Sequence, residues 1–234
     1  MKKLSLSIVI PAYNEEESLG YVLKDTLKNL PNIVKDFEII IVNDGSTDKT
    51  KKIAKSFARK ARQVRLINQR NYGFSRALIN GIKVAKKDRV TYMQSDGQDL
   101  VRDLVNCFRI MHKYDLVLGI RGKRIDYDPF RLLLSYGGLI VYRVLFGITH
   151  EDVHWVYIWN TKEIQRLKLN PDGGMFTLVE SLIKFKRMGL KTGEATSPYR
   201  PRYAGVSKST SSKVLGKTLS SIFNLWYAIL IKHV

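Results

Sequence analysis

Residues 37–48 read Phe-Glu-Ile-Ile-Ile-Val-Asn-Asp-Gly-Ser-Thr-Asp, an apolar run that gives way to polar turn residues. The β-rich run at 37–42 is typical of a strand buried on both faces of a sheet. Gly45 permits a tight turn, and Ser46 or Thr47 is suited to cap a following helix, which the pattern predicts over residues 47–61. The stretch therefore predicts a buried strand, a turn that carries Asp44, and a helix.

The same unit recurs along the first half of the chain. Strands are predicted at residues 4–10, 37–42, 64–68, 89–93 and 115–119, and helices at 15–30, 47–61 and 74–85. Strands that alternate with helices pair in parallel, so the pattern predicts an α/β fold with a mostly parallel sheet covered on both faces. Ligands bind beyond the carboxyl ends of such strands, which directs attention to loops 11–17, 43–48 and 94–99.

Two aspartates follow predicted strands in these loops. Asp44 is expected to face the ligand crevice, although Asp-Gly-Ser-Thr is also ordinary turn and cap chemistry. Asp96 follows the fourth strand, and Gln98 offers a carbonyl oxygen two residues later. Mg²⁺ is commonly held by one or two carboxylates together with water and substrate phosphates. These residues therefore predict a cation site beside a phosphorylated ligand, with a simple turn as the alternative.

Positive charge is a further feature of the chain. Lys and Arg outnumber Asp and Glu by 40 to 21, and the formal net charge of +19 attracts phosphates, anionic lipids or nucleic acid. Guanidinium groups match phosphate oxygens in a bidentate way. The basic side chains of the later loops are Arg121, Lys123, Arg124, Arg131, Arg200, Arg202 and Lys208. No recognition helix, zinc finger or base-stacking motif accompanies them, so nucleic acid is not expected as a partner.

Two segments have the pattern of amphipathic helices, at residues 130–146 and 214–234. The second places Trp226 among apolar residues and is flanked by lysines, a composition that suits a lipid interface. Packing against the core, a second copy or a membrane protein is the alternative. We divide the chain into a domain at 1–212 and a C-terminal helix at 213–234. No apolar run reaches the ~18 residues of a spanning helix, and the single Cys107 fits a reducing compartment. A peripheral protein at the cytoplasmic face of a membrane is expected.

The order and spacing of several short motifs resemble those of a large enzyme family. The motifs are Ile8-Val9-Ile10-Pro11-Ala12-Tyr13-Asn14-Glu15-Glu16, Val42-Asn43-Asp44-Gly45-Ser46-Thr47-Asp48, Asn71-Tyr72-Gly73-Phe74-Ser75-Arg76-Ala77 with Gly81, Asp96-Gly97-Gln98, Arg131 with Ser135, Phe176 with Glu180, and Arg202-Tyr203-Ala204-Gly205-Val206-Ser207-Lys208. They are similar to those of inverting nucleotide-sugar glycosyltransferases of the A-type (GT-A) fold. The resemblance is greatest to the branch of dolichyl-phosphate mannose synthase and polyprenyl-phosphate glucosyltransferase.

The resemblance implies a nucleotide-sugar donor, a polyprenyl phosphate acceptor and a Mg²⁺ or Mn²⁺ cofactor. It assigns the nucleotide's base and ribose to Pro11, Tyr13, Glu15 and Asp44, and the metal to Asp96 and Gln98. It assigns the donor diphosphate and acceptor phosphate to Arg121, Arg131, Ser135, Arg202 and Lys208. Of all these, Asp96, Arg131, Arg202 and Lys208 are the expected catalytic residues.

Two departures from the family pattern keep alternatives open. The family's Asp-x-Asp pair reads Gln94-Ser95-Asp96, which removes one carboxylate, and a Ser-Gly-Phe-Arg-like stretch is replaced near Asp152. A phosphate monoester is largely dianionic at neutral pH and needs cations more than a base, whereas a sugar hydroxyl acceptor would need Glu151 or Asp152 as a base. The abundant Arg and Lys favour the lipid phosphate. A non-catalytic member of the fold that binds anionic lipid or polymer is the third interpretation.

Overall fold

The computed structural model describes residues 4–122, 129–203 and 212–232. The strands are β1 Leu6–Ala12, β2 Phe37–Asp44, β3 Val64–Gln69, β4 Arg89–Tyr92, β5 Leu116–Ile120, β6 Tyr157–Asn160 and β7 Thr192–Thr196. The helices are α1 Leu19–Asn29, α2 Thr50–Lys60, α3 Phe74–Lys83, α4 Val105–Ile110, α5 Pro129–Phe146, α6 Thr161–Arg166, α7 Phe176–Arg187 and α8 Ser212–Lys232. Short 3₁₀ turns lie at Leu30–Asn32 and Val101–Leu104.

The strands form one seven-stranded sheet in the order β3-β2-β1-β4-β6-β5-β7. Strand β1 pairs in parallel with both β2 and β4, and β2 pairs in parallel with β3. Strand β5 pairs in parallel with β7, whereas β6 runs antiparallel to both β4 and β5. The predicted α/β architecture with a mostly parallel sheet is therefore confirmed. The carboxyl ends of β1, β2 and β4 lie side by side, which brings the loops after these strands to one edge of the sheet.

Successive side chains of the central strands point to opposite faces of the sheet and pack in two separate core clusters. Ile8 and Ile10 pack in the cluster that contains Leu23 of α1, whereas Val9 packs in the cluster that contains Leu78 of α3. A side chain at Gly81 of α3 would overlap Cγ1 of Val9, so glycine allows this helix to lie close against β1. Helices on both faces thus fix the sheet and its loop-bearing edge.

Helix α8 carries apolar side chains both on the face that packs against the core and on its exposed face. Ile222 is buried in the second core cluster, with Leu225 and Ile229 packed against it, whereas Phe223 and Leu230 are exposed. Helix α5 likewise buries Tyr142 but exposes a row of large apolar side chains, Leu133, Tyr136, Ile140 and Val144. Among the helices in the described part of the chain, none combines the length and apolarity needed to cross a membrane.

Some boundaries differ from the sequence expectation. Helix α1 begins at Leu19 rather than at residue 15, and before it the backbone N–H groups of Glu15 and Glu16 bond to Thr50 Oγ1 of α2 and to Asp48 Oδ2. The sequence pattern also did not predict α6, α7 or β7. Strand β7, Thr-Gly-Glu-Ala-Thr, lacks the apolar run of the central strands because it lies at the edge of the sheet.

Candidate active site

The loops after β1 and β2 are joined by hydrogen bonds between side chains and backbone. Asn14, at a positive φ of 54°, accepts a bond from the Thr47 amide at 2.9 Å. The Glu15 amide donates to Oγ1 of Thr50 at 2.8 Å, and Glu15 itself accepts from Ser18 Oγ at 2.8 Å. This network fixes Tyr13 and Glu15, both predicted nucleotide contacts, at the carboxyl edge of the sheet.

Asp44 is buried at the end of β2, and it organises the loop after β3. Its Oδ1 accepts bonds from Gln69 Nε2 at 2.7 Å and the Tyr72 amide at 2.9 Å, and its Oδ2 accepts from the Gly73 amide at 2.8 Å. Gly45 has a φ of 73°, and a Cβ there would lie 2.6 Å from the backbone nitrogen of Asn71. The structure thus shows Asp44 holding the loop after β3 against the end of β2, and its contact with a nucleotide stays a prediction.

The loop after β4 brings Asp96 beside the β1 loop. Ser95 Oγ donates to the Pro11 carbonyl at 3.1 Å, and Asp96 Oδ1 accepts from the Gln98 amide at 3.1 Å. Asp96 Oδ2 forms an ion pair with Arg202 Nη1 at 2.9 Å, although 106 residues separate the two in sequence. Predicted residues from opposite ends of the chain, Pro11, Asp96, Gln98 and Arg202, therefore meet in one place.

Asp99 is a buried acid of this loop that the sequence reasoning missed. Both of its carboxyl oxygens lie within hydrogen-bond distance of the Gln94 amide, at 2.9 Å and 3.2 Å. Burial raises the pKa of Asp99 well above its usual range, and the nearby charge of Asp96 raises it further. Because both carboxyl oxygens face the Gln94 amide, Asp99 supports the backbone of this loop. The sequence Asp96-Gly97-Gln98-Asp99, with a second acid three residues after Asp96, could have indicated Asp99 as a residue of this site.

A divalent cation fits this site only together with a phosphate ligand. Within the described ranges, no group of three or more His, Cys, Asp or Glu side chains is arranged to hold a metal. Asp96 is nevertheless buried and has drawn the Arg202 guanidinium onto one oxygen, which shows that the position attracts positive charge. One carboxylate, an amide oxygen from Gln98 and diphosphate oxygens form a donor set suited to Mg²⁺ or Mn²⁺.

Arg121 and Asp152 form a buried, bidentate ion pair. Arg121 Nε lies 2.7 Å from Asp152 Oδ2 and Nη2 lies 2.9 Å from Oδ1, with both side chains only 3% exposed. The guanidinium also lies 5.3 Å from the Trp155 ring and 6.0 Å from the Tyr199 ring. This pairing disfavours Asp152 as a base, because protonating the carboxylate would weaken its bonds to Arg121, and its role in catalysis stays a prediction. The neighbouring acid, Glu151, is exposed.

The remaining predicted residues lie on or beyond α5. Ser135 is on α5 and is half-buried. Arg131 is also on α5, but its side chain lies outside the described part, as does the whole of Lys208, together with Lys123, Arg124, Gly205 and Ser207. The roles of Arg131, Ser135 and Lys208 therefore stay predictions.

Two histidines near Asp152 have packing roles. His150 Nε2 lies 3.1 Å from Thr192 Oγ1, and burial lowers the pKa of His150 to about 4, with a smaller effect from Lys186. His154 contacts Tyr142 of α5, with 3.4 Å between Nε2 and the hydroxyl oxygen. Neither belongs to a metal cluster among the residues described.

Comparison with known proteins places these features in a sequence family. Residues 7–177 match the family described as glycosyl transferase family 2. The chain is 39% identical over 229 residues to an uncharacterized glycosyltransferase of Synechocystis sp., covering 94% of this chain and 69% of the relative. It is 27% identical over 235 residues to the dodecaprenyl-phosphate galacturonate synthase of Rhizobium johnstonii, and this match covers 97% of this chain and 69% of the relative. It is 27% identical over 228 residues to the dolichol-phosphate mannosyltransferase of Pyrococcus furiosus, and this match covers 92% of this chain and 61% of the relative.

Solved structures support the fold assignment. Glucosyl-3-phosphoglycerate synthase from Mycobacterium tuberculosis, crystallised with Mn²⁺, UDP-glucose and phosphoglyceric acid, superposes with a TM-score of 0.71. The match covers 94% of this chain and 80% of that chain at 20% sequence identity. The likeness confirms the GT-A type of fold.

Proposed function

Since this chain belongs to glycosyl transferase family 2 and is a glycosyltransferase, we propose that it moves a hexose from a nucleotide sugar to a polyprenyl phosphate with inversion. One observation carries the choice of acceptor. Asp152, one of the two neighbouring acids that a hydroxyl acceptor could use as a base, is held in the buried ion pair with Arg121. A dianionic phosphate needs no base, and the relatives from Rhizobium johnstonii and Pyrococcus furiosus are named for polyprenyl-phosphate products or acceptors.

The donor would lie in the crevice that the three loops form. Pro11, Tyr13 and Glu15 would line it from the β1 side, and Asp44 holds the loop after β3. Asp96 and Gln98 would hold Mg²⁺ or Mn²⁺, which supplies positive charge to the departing nucleoside diphosphate. GDP-mannose and UDP-glucose are the donor types that we expect.

The basic side chains then have separate tasks in the transfer. Arg202 lies at Asp96 and would bind the diphosphate, so that the charge that develops on it is stabilised as the anomeric bond breaks. Arg131, Ser135 and Lys208 would hold the acceptor phosphate, whose oxygen attacks the anomeric carbon from the opposite face. An in-line attack of this kind inverts the configuration at that carbon.

The acceptor's lipid character matches the exposed surface of α5 and α8. Leu133 and Val144 on α5, and Phe223 and Leu230 on α8, are all more than half exposed. Arg143 and Lys217 are exposed on the same helices, and such basic, apolar helices bind anionic bilayer surfaces. This surface supports our proposal that the enzyme is a peripheral protein at the cytoplasmic face of a membrane.

A direct assay tests this function. The protein is incubated with GDP- and UDP-sugars, a short polyprenyl phosphate, and Mg²⁺ or Mn²⁺, and the lipid product is identified by mass. A glycosylated polyprenyl phosphate is expected from at least one donor, and Asp96→Asn should abolish it while the protein still unfolds cooperatively. Transfer to a sugar hydroxyl, with none to the lipid phosphate, would contradict the proposal, as would an absence of any transfer.

A further inference from the structure

Residues 199–203, here called the strap, run across the loop that carries Asp96 and Gln98. The Arg200 amide donates to the Gln98 carbonyl at 3.3 Å, and the Tyr203 amide donates to the Asp96 carbonyl at 2.9 Å. The Gln98 side chain adds a bond from its Nε2 to the Tyr199 hydroxyl at 2.7 Å. Two backbone bonds and one side-chain bond thus align the strap with the predicted metal ligands and place Arg202 on Asp96.

The first anchor of the strap is an acid on the 3₁₀ turn Val101–Leu104. Asp103 is buried and binds Arg200 through both carboxyl oxygens, at 2.6 Å from Nε and 2.7 Å from Nη2. This hydrogen-bonded pairing raises the pKa of Arg200. A bidentate guanidinium pair fixes both the position and the orientation of the backbone that carries it. Arg202 lies two residues further along, so the Asp103 contact limits where its guanidinium can reach.

The second anchor is a stacked pair of aromatic rings. Tyr21 of α1 and Tyr203 of the strap lie with ring centroids 4.5 Å apart and planes inclined by 12°. Beneath them is Gly97, at a φ of 79°, where a Cβ would lie 3.2 Å from the Tyr203 Cβ and 3.7 Å from the Tyr21 ring. The absence of a side chain at Gly97 lets both tyrosines close over the turn between Asp96 and Gln98.

We propose that Asp103 and Tyr21 are positioning residues for sugar transfer. They hold the two ends of the strap, at Arg200 and Tyr203, and so keep the Arg202 guanidinium where the donor diphosphate departs. This inference rests on the proposed function. Because Arg202 would act on charge that develops during bond breaking, loosening the strap should lower kcat more than it raises KM for the donor.

Strap position is measured first without any substrate. The initial rate at which trypsin cleaves the Arg202–Tyr203 bond, measured by mass spectrometry, reports how often the strap opens. Asp103→Asn leaves Arg200 without its counter-ion, and Tyr21→Ala removes the stacked ring. Each should speed this cleavage about tenfold, the factor that corresponds to losing one strong, charged or aromatic contact. Tyr21→Phe keeps the ring, and Asp36→Asn removes an exposed ion pair with Lys87, so both should cleave as the wild type does.

Transfer kinetics complete the test. In Asp103→Asn and Tyr21→Ala, kcat should fall about tenfold with a smaller change in KM, while Tyr21→Phe retains wild-type values. Unchanged cleavage in both variants, or faster cleavage with unchanged kcat, would overturn the positioning role. Thermal unfolding identifies a variant that fails to fold, and the other variant then decides the outcome. If the wild type forms no glycolipid, the proposed function fails, an outcome that the wild type alone reveals.

Discussion

The buried pair of Arg121 and Asp152 gives the sharpest stability prediction. Replacing Asp152 with Asn keeps the side-chain size but leaves the Arg121 guanidinium without its counter-ion at a site where only 3% of the side chain is exposed. Removing one partner of a buried ion pair costs about 3–5 kcal/mol of the free energy of unfolding. With an m-value of about 3 kcal/mol per molar urea, the unfolding midpoint should fall by about 1–2 M.

A double-mutant cycle in urea checks this reasoning. Arg121→Met alone should cost a similar amount, because it leaves the Asp152 carboxylate buried and uncompensated. The double variant should be more stable than the sum of the single effects predicts, by about 1–3 kcal/mol. A midpoint for Asp152→Asn within about 0.2 M of the wild type would refute the buried-pair account. If Asp152→Asn instead loses sugar transfer while its free energy of unfolding is unchanged, Asp152 acts as a base.

Three further predictions concern the metal, pH and membrane binding. Gln94→Asp should strengthen Mn²⁺ binding in the presence of UDP or GDP, measured by calorimetry, because a second carboxylate joins Asp96; an unchanged titration would mean that residue 94 points away from the cation. His150 has a pKa of about 4 in the fold against 6.5 when unfolded, so acid favours the unfolded state. The free energy of unfolding should therefore drop by up to about 2 kcal/mol between pH 7 and pH 5 through this group, and His150→Gln should remove that part of the drop; an identical pH profile would contradict it. On α8, replacing the exposed Phe223 and Leu230 with Ser should reduce sedimentation with anionic vesicles and slow transfer to a long polyprenyl phosphate, yet spare a short analogue. Equal losses with both acceptors, or dissociation of an oligomer, would instead make the helix a packing element.

The edge of the sheet that carries the loops after β1, β2 and β4 could be predicted from sequence, because it follows from local pattern and topology. Asp44 is the last residue of β2 and Asp96 lies in the loop after β4, and parallel strands bring such residues to one edge of the sheet. The partners of these residues could not be predicted in the same way. Asp103 meets Arg200 across 97 residues, and no periodicity in either segment indicates the contact.

The alternatives that sequence left open depended on burial, which only the assembled fold determines. Asp152 has the same chemistry as a catalytic base, and its pairing with Arg121 becomes evident only when the loops after β5 and before β6 lie together. The antiparallel strand β6 likewise follows from where the chain returns between β4 and β5, not from its four residues. For α8, the sequence predicted the amphipathic helix, and the fold shows that Ile222 packs inward while Phe223 faces out.

The most direct test of the account is product analysis with matched acceptors. The enzyme receives one active nucleotide sugar and equal amounts of a short polyprenyl phosphate and the corresponding polyprenol, which lacks the phosphate. The account predicts a glycosylated polyprenyl phosphate with inverted anomeric configuration and no product from the alcohol, because a dianionic phosphate needs no base and Asp152 is held in its ion pair with Arg121. Efficient transfer to the alcohol, or a product with retained configuration, would contradict it.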